Sequence, residues 1–248
     1  MRVSVIGNSV GMRIRPPCRG KQDMLYSARL AGQGHEVSNH TRAGIMINEA
    51  FGYLDDEVIT EHPDFVILNF GIVEVCFRQT PRRLQNSLIH NYYLNQLHGR
   101  PFMFLSGWRR VRHLILRVIN GSIRRGAVIL NLRWQWFRTE RFMTVMKSMI
   151  DVLLKETSAE ICLIGINPCT ARIERVVRGT SEEISRTNAL LRELAASYPA
   201  RIHFLDPIDV LGKDEAADLV PDGIHYSAEG HRLMAESLQR LIEDIEPH

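Results

Sequence analysis

The chain has 248 residues, 45% of them apolar, and a net charge of +3, enough to bury one sizeable core and pointing to one domain over residues 1–248. No apolar stretch approaches bilayer length, and a strand-like run begins almost at Met1, leaving no room for a signal peptide; the expected location is the cytoplasm. Cys18, Cys76, Cys162 and Cys169 lack C-x-x-C spacing, so neither a zinc site nor a disulfide framework is expected.

In chain order, Arg2 to Ile6 is the first predicted strand, followed by the turn Gly7-Asn8-Ser9-Val10-Gly11. Gln22 to Ala31 carries Met24, Leu25, Ala28 and Ala31 on one helical face and is stopped by Gly32 and Gly34. Strands are predicted at His35 to Asn39 and Asp64 to Phe70. A stretch without acidic residues follows, from Val75 to Thr139, with 12 arginines and no lysine; the rest of the chain therefore carries −9. Such asymmetry implies an anionic partner or an internal match to the acidic remainder. This stretch, about residues 78–138, breaks the alternation of elements and is read as an insertion or cap. It includes a candidate basic amphipathic helix, Trp108 to Asn120, and an apolar run, Ala127 to Leu132.

Thr139 opens a helix with Phe142, Val145, Met146, Met149 and Leu153 at helical spacing. Strands are predicted at Glu160 to Ile166 and Arg201 to Asp206. Between them Thr180-Ser-Glu-Glu183 has a capping-box pattern ahead of Ile184, Leu190, Leu191 and Leu194. A last helix runs from Ala228 to about Ile245. Strands alternating with helices predict a three-layer α/β/α sandwich around a central parallel five-stranded sheet, with the chemistry just after the strands.

Ser9 falls in such a place, on a glycine-flanked turn where the backbone can bend sharply. By itself this is equally an ordinary glycine turn or a phosphate-cradling loop, although the spacing matches neither a Walker loop nor G-x-G-x-x-G. Near the other end stands Pro221-Asp222-Gly223-Ile224-His225. A serine hydroxyl needs a base to take its proton, and an imidazole needs an acceptor to fix its tautomer. Asp222 and His225 supply those parts, whereas an isolated D-x-x-H more often only orders a turn.

Together these residues resemble the SGNH/GDSL hydrolases, whose short blocks span nearly the whole domain. Gly7-Asn8-Ser9 looks like the family's G-D-S block, with Ser9 at the nucleophile position. Val37-Ser38-Asn39-His40-Thr41-Arg42-Ala43-Gly44 looks like the second block, whose glycine donates a backbone N–H to the oxyanion, a role that would fall to Gly44. Asp222-Gly223-Ile224-His225, with Ser227 and Gly230 behind it, looks like the last block, where aspartate and histidine complete the triad. The resemblance implies a flavodoxin-like SGNH fold and a metal-independent, cofactor-free esterase.

The third block departs from the family pattern. G-x-N-D, whose asparagine donates to the oxyanion, is replaced by Gly71-Ile72-Val73-Glu74, and a lost donor typically costs about a hundredfold or more in rate. Asn69 is a weak substitute, about 7 Å deeper by strand rise, and Arg78 is the other. Gly71-Ile72-Val73-Glu74-Val75-Cys76-Phe77-Arg78 also resembles a G-I-V-D-C-x-x-R variant of SGNH-like proteins from bacterial polysaccharide loci.

The function expected is a serine acyl hydrolase, an esterase or deacetylase acting on a small or carbohydrate acyl ester. An acyltransferase with the same triad and a non-catalytic binding protein with a decayed oxyanion hole are the alternatives. The arginines turn the partner expectation toward anionic esters linked to CoA, a carrier protein or a nucleotide; nucleic acid is not expected. Trp134, Trp136 and Phe137 beside Arg133 and Arg138 could line an acyl or sugar pocket, but aromatic residues interleaved with arginine more often bury their rings under guanidinium groups.

Overall fold

Val3, Val5 and Ile6 are all buried, as a strand covered on both faces requires, and lie in β1 (Arg2–Gly7) of the computed structural model. Residues 1–12, 24–79, 81–82, 118, 122, 125–212 and 216–245 are described. Strand β2 is Glu36–Asn39, β3 Phe65–Asn69, β4 Glu160–Ile164 and β5 Ile202–Leu205. They form one sheet in the order β2-β1-β3-β4-β5, every neighbouring pair parallel. This is the predicted central sheet. Strand β3 is buried at every residue, so alternation is absent and only the β-branched and large apolar content betrays it.

The covering helices are α1 (Tyr26–Gly32), α2 (Ile47–Tyr53), α3 (Thr139–Glu156), α4 (Ala171–Val176), α5 (Thr180–Ala196), α6 (Pro207–Leu211), α7 (Ala216–Leu219) and α8 (Ala228–Ile245). Helix α1 packs on α8 and α8 on α6, while α2 packs on α3 and α3 on α5. The stripe Phe142, Met146, Met149 and Leu153 of α3 is buried as its spacing predicts. Among the described residues no helix is long and apolar enough to cross a membrane.

Several local expectations are corrected. Helix α1 is Tyr26–Gly32, behind Leu25, and the predicted start at Gln22 lies outside the described residues. Thr180 does not cap α5: it is the first helical residue, behind Gly179 at φ +84°. The capping carboxylate is Glu174, whose oxygens accept from Gly179 N–H at 2.6 Å and Ser181 N–H at 2.9 Å, while the Glu183 side chain pairs with the Thr139 hydroxyl instead. Helices α2, α4, α6 and α7 were not anticipated; each is too short to show a full apolar stripe.

Most of the arginine-rich stretch, including Trp108 to Asn120 apart from Val118, lies outside the described residues. Its two flanks meet, since Arg78 and Trp134 form an isolated antiparallel bridge with N–H···O distances of 2.8 and 2.9 Å. The apolar run Ala127 to Leu132 is the end of a short helix and the turn after it.

Strands β1 and β3 meet at their carboxyl ends with Gly7 opposite Asn69. A Cβ on Gly7 would lie 2.4 Å from the Asn69 carbonyl oxygen, a backbone atom that cannot swing away. Gly7→Ala is therefore expected to lower stability by about 2–3 kcal/mol in urea denaturation; a loss under about 0.5 kcal/mol would show that the strands separate freely here.

Candidate active site

Beyond Gly7 the chain enters a one-turn 3-10 helix, Ser9–Met12. Asn8 is fully buried and caps it: its Oδ1 accepts the Val10 N–H at 3.1 Å, while its own N–H donates to Asn69 O at 3.2 Å. Ser9 is thereby held at the head of a turn at the carboxyl end of β1.

The partner groups arrive from the loop before α8. Gly223, at φ +76°, makes the bend there, with its N–H on Val220 O at 2.8 Å. Asp222 Oδ1 accepts the N–H groups of Ile224 at 3.0 Å and His225 at 2.7 Å. Its Oδ2 meets His225 Nδ1 at 2.8 Å, and His225 Nε2 meets Ser9 Oγ at 2.9 Å. Ser227 Oγ accepts Gly230 N–H at 3.2 Å and so caps α8 directly behind the loop. Asn167, just after β4, braces the loop by donating to Ile224 O at 2.8 Å.

Burial opposes charge on Asp222, but hydrogen bonds from the His225 ring and from the His225 and Ile224 N–H groups outweigh it and hold the carboxyl down at about 2. An ionised Oδ2 against Nδ1 keeps the ring proton on that nitrogen. Nε2 is then the acceptor facing the Ser9 hydroxyl.

The structure brings Ser9, Asp222 and His225 together and gives the two expected substitute donors other work. The Asn69 amide donates to the Tyr26 hydroxyl at 3.3 Å. The Arg78 guanidinium donates to Ile72 O at 3.0 Å and lies over the Trp136 ring, 5.0 Å from its centroid. Gly44 sits at φ +72° with nothing within 4 Å of where a Cβ would be, so its side is open. Val73 is packed in the hydrophobic core.

Glu74, which sequence reasoning passed over, is fully buried. Its Oε1 accepts the Ile47 N–H at 2.8 Å, at the start of α2, and Oε2 accepts the Gly71 N–H at 2.9 Å, so one carboxylate ties the turn after β3 to α2. Burial pushes its pKa up to about 7 against these N–H groups and Arg78, which favour the charge. A carboxyl raised from 4.5 to about 7 binds its proton more tightly folded than unfolded, so its contribution is fully present below 4.5 and is lost as pH rises through about 7. Wild-type stability is expected to fall by ~3 kcal/mol over that window relative to Glu74→Gln, which does not titrate. Denaturant curves at pH 5 and pH 8 check it, and parallel behaviour of the two proteins would contradict it.

An α/β fold with this hydrogen-bonded chain at the carboxyl ends of its strands has the architecture of an acyl-ester hydrolase. The model of the GDSL-like Lipase/Acylhydrolase family matches residues 6–233, and the chain belongs to that family, an ester-hydrolysing enzyme of SGNH/GDSL type. No curated protein sequence matches it. Among solved structures, it is similar to a lipase/acylhydrolase from Enterococcus faecalis at 17% identity, covering 98% of this chain and 96% of that one with a TM-score of 0.61. A GDSL-like lipase from Bacteroides thetaiotaomicron is similar at 14% identity, with 99% and 89% covered and a TM-score of 0.58. An acetylxylan esterase from Geobacillus stearothermophilus is similar at 16% identity, with 96% and 92% covered and a TM-score of 0.56. At these identities the likeness is one of fold.

Proposed function

We propose that this enzyme is a serine esterase that cleaves a short acyl ester through an acyl-enzyme on Ser9. The observation that carries the reading is the unbroken chain from Ser9 Oγ to His225 at 2.9 Å and from His225 to Asp222 at 2.8 Å. His225 Nε2 takes the Ser9 proton as Oγ attacks the ester carbonyl, then returns it to the departing alkoxide. Water, deprotonated in turn by His225, releases the acid and frees Ser9. Asp222 stays ionised throughout and steadies the imidazolium.

The oxyanion is stabilised by backbone donors. Ser9 heads the 3-10 turn, where the first N–H groups have no partner within the helix. Asn8 takes the N–H of Val10 and leaves that of Ser9, with the Gly44 N–H from the neighbouring loop as the second donor. Without a side-chain amide at Val73 the hole is weaker than the family pattern by about a hundredfold or more in rate.

An O-acetyl ester on a carbohydrate is the substrate class favoured, supported by the resemblance of the Gly71 to Arg78 segment and by the acetylxylan esterase among the similar folds. Anionic carriers draw no support from the described residues, because most of the arginine-rich stretch lies outside them. An assembled triad weighs against the non-catalytic reading.

The test is intact mass after incubation with a fluorophosphonate. One adduct on the wild type that disappears in Ser9→Ala supports an activated serine; folded wild-type protein that takes up no adduct would overturn the reading.

A further inference from the structure

A second surface adjoins the candidate site. The short helix at residues 125–129 ends in a turn, closed by Leu130 N–H on Gly126 O at 2.9 Å and Leu132 N–H on Ala127 O at 2.8 Å, with Asn131 left-handed at φ +49°. This turn thrusts out large apolar side chains: Ile129 is 81% exposed and Leu130 68%, with Val128 and Leu132 above 40%. Scattered exposed apolar residues are ordinary, but consecutive ones at the tip of a turn are not.

The tip joins α4. Arg133 Nη1 donates to Arg178 O at 2.7 Å and passes so close to Gly179 that a Cβ there would lie 2.5 Å away. Val176 on α4 is 41% exposed and adds to the apolar surface. Helix α4 in turn abuts the catalytic loop, since Ile173 fills the space above Gly223, between Asp222 and His225 in the chain.

The two segments that make this face are mainly basic, with the exposed acids Glu140 and Glu182 just beyond their ends. Residues 125–138 and 171–179 hold 6 arginines and a single acid, Glu174. That carboxylate is occupied by the N–H groups of Gly179 and Ser181. Exposed Arg172, Arg175 and Arg178 form no side-chain ion pair among the described residues. An acidic glycan or nucleic acid would use the arginines and leave the apolar tip in water. A bilayer with anionic headgroups uses both: phosphates for the guanidinium groups and the headgroup boundary for the tip.

We propose that this face, the 128–132 turn together with α4, docks on the surface of an anionic lipid bilayer and sets the Ser9 site beside the lipid. The inference goes beyond the esterase reading and stands whether or not Ser9 is a nucleophile.

The test is co-sedimentation of the whole chain with phosphatidylcholine vesicles, with and without phosphatidylglycerol. The wild type is expected to pellet with the phosphatidylglycerol vesicles and to be released by salt. Ile129→Asp combined with Leu130→Asp should weaken pelleting at least about tenfold. Arg172→Glu combined with Arg175→Glu should remove most of the preference for the anionic lipid, about tenfold. All these positions are exposed, and thermal transitions within a few degrees of wild type confirm folding; if one double variant fails to fold, the other decides. The proposal falls if the wild type ignores anionic vesicles, or if the folded variants bind as it does. It also falls if the protein pellets without vesicles and Ile129→Asp abolishes that, since the face is then an interface between two copies.

Discussion

Ser9→Ala is expected to lower kcat on p-nitrophenyl acetate by about 10⁴-fold or more and to abolish fluorophosphonate labelling. Among the described residues the hydroxyl makes one hydrogen bond, to His225, and it sits at the head of a turn held by Asn8, Gly7 and Asn69. Removing it should therefore cost no more than about 1 kcal/mol of stability and leave the rest of the site in place. The fall in rate then reports chemistry and not unfolding. His225→Ala should fall by a similar factor, and the double variant should be no worse than either single one, because nucleophile and base act as a unit. If the proposed oxyanion hole is weakened at Val73, this expectation sharpens, since whatever rate survives without the triad comes largely from that hole. Retention of more than about a tenth of the wild-type kcat by folded Ser9→Ala would move the nucleophile elsewhere.

Much of this site was legible from residue types at fixed places. Ser9 follows a strand, Asp222 and His225 precede a helix with an apolar stripe, and a parallel sheet gathers such loops at one edge. Glu74 was not legible because its partners are remote: the N–H it accepts from Ile47 comes from 27 residues earlier, and nothing at Gly71 announces a donor. An acid between Val73 and Val75 in a run otherwise apolar from Phe70 was the available signal, since a charge in such a run is buried only with partners. The capping of α5 failed for a related reason. Thr180 with Glu183 fits the local pattern, but Glu174 reaches the same N–H groups from α4 and displaces it, a competition that spacing alone does not show. Asn69 and Arg78 were sought as donors because Val73 removes one; the hydrogen bonds they make, to the Tyr26 hydroxyl and Ile72 O, arise from tertiary packing that spacing does not show.

Asp222→Asn tests the electrostatics of the triad with almost no change in shape. Both oxygens of Asp222 are acceptors: Oδ1 for the N–H groups of Ile224 and His225, Oδ2 for the His225 ring. An amide has one acceptor and one donor, so one side must fail. With its NH₂ toward the backbone, donor meets two donors and the bend at Gly223 opens. With its NH₂ toward the ring, Nδ1 becomes an acceptor, the ring proton moves to Nε2, and Nε2 can no longer take the Ser9 proton. The second arrangement keeps the hydrogen bonds and should prevail, giving a folded protein with kcat lower by about 10³–10⁴-fold. The acid limb of stability should change as well. Because Asp222 is held at about 2 from an ordinary 3.8, its stabilisation is present above 3.8 and is lost as pH falls through about 2. The variant has no such group, so its stability should decline less steeply from pH 4 to pH 2 than that of the wild type. A folded variant within tenfold of wild-type kcat would mean that His225 finds its tautomer without the carboxylate, and Asp222 would then be a turn-forming residue whose contact with the ring is incidental.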